Sequence, residues 1–155
     1  MIQLNFPPTE LKTRFQDGLL TVFDPVRKKY VFLTPEEQVR QMMIQFLRME
    51  NKIPFSHMAV EKMIRYHHLA KRPDIVLFDR QTKPVMVVEC KSPGIKLGKN
   101  SMEQLATYNK VMGTPFILLT NGLVHLSCKL NLQEETYVMM DHIPDFEELN
   151  LFERS

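Results

Sequence analysis

Two short β-branched apolar runs, residues 75–78 and 85–89, flank a connection too short to hold a helix. They are therefore expected to pair as neighbouring strands joined by a tight turn. Asp74 stands just before the first run, and Glu89 closes the second, followed by Cys90 and Lys91. Side chains alternate faces along a strand, so Glu89 and Lys91 point one way while Val88 and Cys90 point into the core on the other. Paired in this way, the strands bring Asp74 and Glu89 together at one sheet edge.

The remaining patterning predicts what surrounds this pair. Runs 20–23 and 30–33 around Asp24-Pro25 read as a hairpin. Thr34-Pro35-Glu36-Glu37 combines a threonine N-cap, a proline at the first helical position and a glutamate three residues after the cap. That is a capping box, and Val39, Met42, Met43, Phe46 and Leu47 continue it at the 3.6-residue period to a stop before residues 51–54. Residues 58–66 fit helix or strand. Ser101 opens a second helix to about Met112, with Gly113 past its end and Pro115 preventing continuation. Runs 116–120 and 123–129 flank Asn121-Gly122, the favoured pair of a two-residue type I′ hairpin. Ile143, Phe146, Leu149 and Phe152 form one apolar side of a C-terminal packing segment. Strands interleaved with helices predict an α/β layer fold.

With 155 residues, 44% of them hydrophobic, the chain can bury one core without disulfides or a structural metal. Neither a repeat nor a Gly/Ser linker divides it, so one domain over residues 1–155 is expected. No apolar run approaches the roughly 20 residues of a membrane span, and residues 1–8 lack a basic-then-apolar leader pattern. The expectation is a cytoplasmic protein with no membrane partner. Cys90 and Cys128 lie inside apolar runs and are expected to be buried, reduced thiols. Charge is segregated: residues 131–155 hold seven acids and one base, which leaves the rest of the chain strongly basic. A basic body suits an anionic partner such as nucleic acid.

Two carboxylates at one sheet edge are suitable ligands for Mg²⁺ or Mn²⁺, which keep several waters and bind substrate phosphate. Lys91 beside them can orient an attacking water and balance transition-state charge, whereas its bland alternative is a surface ion pair with Glu89. Residues 94–100 sit between strand and helix as a P-loop does, but only three residues separate the glycines and Asn100 replaces Ser/Thr, so nucleotide binding is rejected. Lys96 and Lys99 of that loop, and Arg72, are expected to touch nucleic-acid phosphates. His67 and His68, with Lys62, Arg65, Lys71 and Arg72 nearby, form a possible DNA-facing edge, and the histidines lack zinc-site spacing.

Several stretches together carry a family likeness: Arg72-Pro73-Asp74-Ile75-Val76, Val87-Val88-Glu89-Cys90-Lys91-Ser92-Pro93, Phe23-Asp24-Pro25-Val26-Arg27-Lys28-Lys29-Tyr30, Leu33-Thr34-Pro35-Glu36-Glu37-Gln38-Val39-Arg40-Gln41, and Gln104 with Tyr108-Asn109. Over roughly residues 20–145 the chain resembles the PD-(D/E)xK nuclease superfamily, and more closely the N-terminal nuclease domain of type I restriction enzyme R subunits and its stand-alone relatives. The resemblance implies a restriction-endonuclease-like core, a central mixed β-sheet flanked by helices, and divalent-metal-dependent DNA endonuclease activity with Mg²⁺ or Mn²⁺. Asp74 and Glu89 would hold the ion, Lys91 would be the catalytic lysine, Glu36 would approach from the first helix, and Gln104 and Tyr108 match a Gln-x-x-x-Tyr motif on one helical face. Gln104 alternatively completes a capping box from Ser101, and Tyr108 alternatively belongs to the apolar stripe with Leu105 and Met112. The alternative function is a non-catalytic nucleic-acid-binding or assembly module on the same fold. DNA and a separate motor or specificity subunit are the expected partners, with a homo-oligomer left open.

Overall fold

The computed structural model describes residues 1–154. The N-terminal hairpin is present as β2 (Leu19–Asp24) and β3 (Lys29–Phe32), and β1 (Thr13–Gln16) adds to β2 to complete a three-stranded antiparallel sheet. Every β1 residue is exposed, so this strand carries no buried stripe from which patterning could have been read. α1 (Pro35–Met49) begins at its threonine cap, the Thr34 hydroxyl accepting from the Glu37 N–H at 3.1 Å. The reciprocal half of the expected capping box is replaced. The Glu37 carboxylate accepts from Arg27, Arg40 and Gln41, and the Thr34 N–H donates to the Phe32 carbonyl.

Residues 58–66 are extended, as β4 (Met58–Val60) and β5 (Ile64–Tyr66), with Glu61 between them at φ +52°. β5 pairs with β6 (Leu69–Lys71) as a separate two-stranded ribbon. The two runs around Asp79 form β7 (Ile75–Phe78) and β8 (Pro84–Cys90), antiparallel neighbours as read. α2 (Lys99–Met112) then crosses from β8 to β9 (Phe116–Thr120), which lies parallel to β8. β10 (His125–Asn131) and β11 (Thr136–Met139) extend the central sheet to the order β11-β10-β9-β8-β7-β4, and α3 (Phe146–Asn150) follows.

This sheet is buried on both faces, which explains its nearly continuous apolar strands. On one face Met86, Val88, Cys90, Phe116 and Leu118 share a core with Met43, Ile44 and Leu47 of α1 and with Phe146 and Leu149 of α3. On the other, Val87, Ile117, Leu119 and Cys128 pack beneath Leu105 of α2. Both cysteines are free and buried. Among the described residues no helix is long and apolar enough to cross a membrane.

Two local expectations are corrected. α2 starts at an extended Gly98 cap, three residues before Ser101, so Ser101 is already helical and Gln104 cannot be its capping-box partner. The β9–β10 turn also differs from a two-residue type I′ loop: Thr120 pairs with His125, leaving four residues between the strands. Gly122 adopts φ +85° while Asn121 is absent from the left-handed region, where both would lie in type I′. Instead the Asn121 side chain builds the turn, its Oδ1 accepting from the Leu123 and Val124 N–H groups at 2.9 Å. Its amide donates to the Ile95 carbonyl at 2.8 Å, tying the turn to the loop after Lys91.

A Cβ on Gly122 would lie 3.0 Å from both Leu4 Cδ2 and Val39 Cγ2, whereas Gly113, at φ +69°, has open space. Gly113→Ala is therefore expected to cost about 1 kcal/mol, from left-handed strain alone, and Gly122→Ala about 2–4 kcal/mol, from strain plus overpacking. Denaturant unfolding of the two variants checks the difference.

Candidate active site

The pairing of Ile75 with Val88 places Asp74 and Glu89 at adjoining strand ends, one residue beyond that register pair. Asp74 is buried, and its two oxygens face different partners. Oδ2 accepts from the Cys90 N–H at 2.7 Å, and Oδ1 accepts from Arg40 Nη2 at 2.6 Å. Glu89 has no such compensation. Burial first, then the neighbouring Asp74 charge, push its carboxyl up to about 7; a hydrogen-bonding interaction with Asp74 adds to this, while Lys71 and Lys91 pull the other way. The two carboxyls therefore sense each other directly, as a shared ion site requires.

Tyr108 of α2 belongs to the same neighbourhood. Its hydroxyl is buried without a hydrogen-bond partner among the described residues, and burial together with the Glu89 charge raises its pKa. The Lys71 ammonium, delivered by β6, lies 4.4 Å from the centre of the Tyr108 ring. Gln104, one turn earlier, lines with Tyr108 and Leu69 an open groove of about 590 Å³ between α2 and the ribbon. The Lys91 side chain is exposed, and its N–H continues the sheet by donating to Thr120 at 2.8 Å. Glu36 is half exposed at the edge of the site, 3.9 Å from Arg40 Nη2. Arg72 and Lys96 are exposed. Lys99 is also exposed and lies 3.8 Å from Glu103 on its own helix.

Sequence reasoning missed the cations that organise this centre. Arg40, only 5% exposed, joins Asp74 to Glu37 at 2.6 Å and to Glu61 at 3.2 Å. Arg27 joins Asp24 at 2.7 Å to the same Glu37 at 3.0 Å. Burial alone would lower the Arg40 pKa; the Asp74 hydrogen bond and the charges of Glu37 and Asp74 outweigh it and raise the pKa. The available signal was the spacing of Glu37, Arg40 and Gln41, which share a helical face adjoining the apolar stripe.

Among the described residues no three His, Cys, Asp or Glu side chains are grouped to hold one metal ion. The donor set still fits Mg²⁺ or Mn²⁺. These ions keep most of their waters and need only one or two carboxylates, and a like-charged acid pair is relieved by a divalent cation.

Two outcomes are expected. Removing the Arg40 guanidinium leaves Asp74 a buried charge without an ion-pair partner and Glu37 with Arg27 alone, so Arg40→Ala should lower stability by about 3–5 kcal/mol, with Arg40→Lys recovering only part because an ammonium cannot span both acids. Denaturant unfolding measures both. Glu89 titrates near 4.5 when unfolded and near 7 when folded. Between those values the unfolded chain has released a proton that the folded chain retains, so stability should fall as pH rises through that window. Glu89→Gln should flatten this dependence in thermal melts taken from pH 4.5 to 8; an unchanged slope would show that the acid pair is not strained.

Comparison with known proteins agrees with this architecture. No curated protein matches the chain. Among solved structures it is similar to a fragment of a putative HsdR subunit of a type I restriction enzyme from Vibrio vulnificus YJ016, with TM-score 0.51 and 20% identity over 76% of this chain. The chain spans 24% of that fragment, and at this identity the likeness concerns the fold. The family model for the type I restriction enzyme R protein N terminus (HSDR_N) matches residues 35–144, a stretch that contains α1, the acid pair, the ribbon and α2. The chain belongs to the type I restriction enzyme R protein N-terminus family.

Proposed function

We propose that the chain is a divalent-metal-dependent DNA endonuclease domain that hydrolyses phosphodiester bonds at the Asp74–Glu89 centre. The observation that carries this reading is the adjacency of the two carboxyls at paired strand ends, with Lys91 two residues beyond Glu89, just past the end of β8. Family membership supports it, and also supports working partners: DNA and the other subunits of a type I assembly.

Asp74 and Glu89 would hold Mg²⁺ or Mn²⁺. When bound, such an ion supplies charge neutralisation at the phosphate and a more acidic water. Arg40 and the Cys90 N–H fix the Asp74 carboxylate so that it needs no reorganisation. Lys91, free to turn in solvent, orients the attacking water and balances charge growing on the phosphate oxygens. The water oxygen forms the new bond to phosphorus, its proton passes to solvent, and the P–O bond to the leaving oxygen breaks as that oxygen takes up a proton. The Tyr108 hydroxyl, which has no hydrogen-bond partner among the described residues, would donate to a phosphate oxygen, with Gln104 beside it on the groove wall. Glu36 stands at the rim as a further acid.

A second reading, a non-catalytic nucleic-acid-binding or assembly module, is favoured by one feature: Arg40 already satisfies Asp74 Oδ1 with a permanent positive charge. The two readings separate in one assay. Purified chain incubated with duplex DNA and Mg²⁺ or Mn²⁺ should cleave without ATP, since residues 94–100 lack P-loop spacing, and EDTA should stop it. Asp74→Asn and Lys91→Ala should each lower turnover by about 10² or more, with Lys91→Ala leaving DNA affinity nearly intact. Folded protein inactive with either metal would leave the assembly reading in place.

A further inference from the structure

We propose that the β5–β6 ribbon is a clamp for duplex DNA, with Lys62, Arg65 and Arg72 contacting the phosphate backbone beside the acid centre; this rests on the nuclease reading above. β5 and β6 pair with each other alone, outside both larger sheets. An isolated two-stranded ribbon is marginal in water, so its persistence here needs an anchor. The anchor is its inner face: Leu69 lines the groove against α2, and Lys71 lies over the Tyr108 ring. Strand alternation sends Arg65 and its cross-strand partner Ala70 to the opposite, outer face, where both are exposed.

The charge of the segment that carries this outer face selects the occupant. From residue 62 to residue 73 the chain contains four Lys or Arg and no acid, and Lys62, Arg65 and Arg72 are all exposed. The segment then runs straight into Pro73 and Asp74, so a backbone held by these three cations lies alongside the candidate catalytic carboxylates. Single-strand binders stack bases on exposed aromatic rings, and the outer cross-strand pair here is Arg65 with Ala70. A two-stranded ribbon is also a shape that a major groove about 12 Å wide accepts. Contacts made to the phosphate backbone imply positioning and little sequence preference.

The test is fluorescence anisotropy of the full chain with a labelled mixed-sequence duplex, in Ca²⁺, at several salt concentrations from about 50 to 200 mM. In the triple variant Lys62→Gln, Arg65→Gln, Arg72→Gln, affinity should drop about tenfold or more, and the slope of log K against log salt should become shallower by about 2–3. Lys83→Gln, in the turn at the opposite end of β7 and β8, should bind like the unsubstituted chain, and thermal melts should show the triple variant folded. Duplex binding within about twofold of wild type with an unchanged salt slope overturns the clamp, as does a wild-type preference for single strands over duplex. Cleavage is scored separately in Mg²⁺. A chain that binds duplex through the ribbon yet does not cleave refutes the nuclease reading and supports the clamp; one that cleaves while the triple variant binds normally does the reverse.

Discussion

The buried Arg40 and the partly buried Arg27 hold three parts of this chain together, and the geometry of the acid centre follows from them. Asp24, the last residue of β2, is fully buried and accepts from the Val26 and Arg27 N–H groups, from Arg27 Nε and from Gln41. Arg27 passes the contact to Glu37 on α1, and Arg40, one helical turn on, passes it to Asp74 at the strand end. Charges this deep are little screened by salt, and each would be costly alone, so the N-terminal hairpin, the first helix and the central sheet are locked in one arrangement. The Glu37 side chain gives up its half of a capping box to serve this network, a local preference overridden by tertiary electrostatics.

The same network divides the labour between the two acids. Asp74 is held in place by Arg40 on one oxygen and a backbone N–H on the other. Glu89 is left beside that charge with two lysines too weakly placed to compensate, and it keeps its proton to about neutral pH. A carboxyl raised in this way beside a second acid suits the binding of a cation or the movement of a proton. Lys71 and Tyr108, held to each other by a cation–π contact, close the side of the centre opposite Arg40 and carry the ribbon that bounds the groove.

Much of the fold was legible. The β7–β8 pair, the N-terminal hairpin, the start of α1, the Gly113 end of α2 and the buried C-terminal segment all follow from local signals such as alternation, capping and left-handed glycine. What escaped lacked such a signal. β1 buries no side chain, and β5 and β6 are short strands of an isolated ribbon. Ser101 and Asn121-Gly122 look like a cap and a two-residue turn, yet the chain uses Gly98 as the cap and the Asn121 side chain as a scaffold, because the loops around Ile95 and Leu4 dictate where each element ends.

By itself the sequence determined that Asp74 and Glu89 stand at the ends of adjacent strands, because the two apolar runs are joined by a connection too short for anything but a turn. It likewise determined a sheet buried on both faces, through the unbroken apolar runs of residues 85–88 and 116–119. Only the tertiary structure decided that Arg40 pairs with Asp74 across 34 residues, that Lys71 lies over Tyr108, and that Glu89 remains uncompensated. Those facts depend on the distance and burial of charges brought together from separate segments, and an interaction that varies with separation and solvent access has no counterpart in the order of residues along a chain.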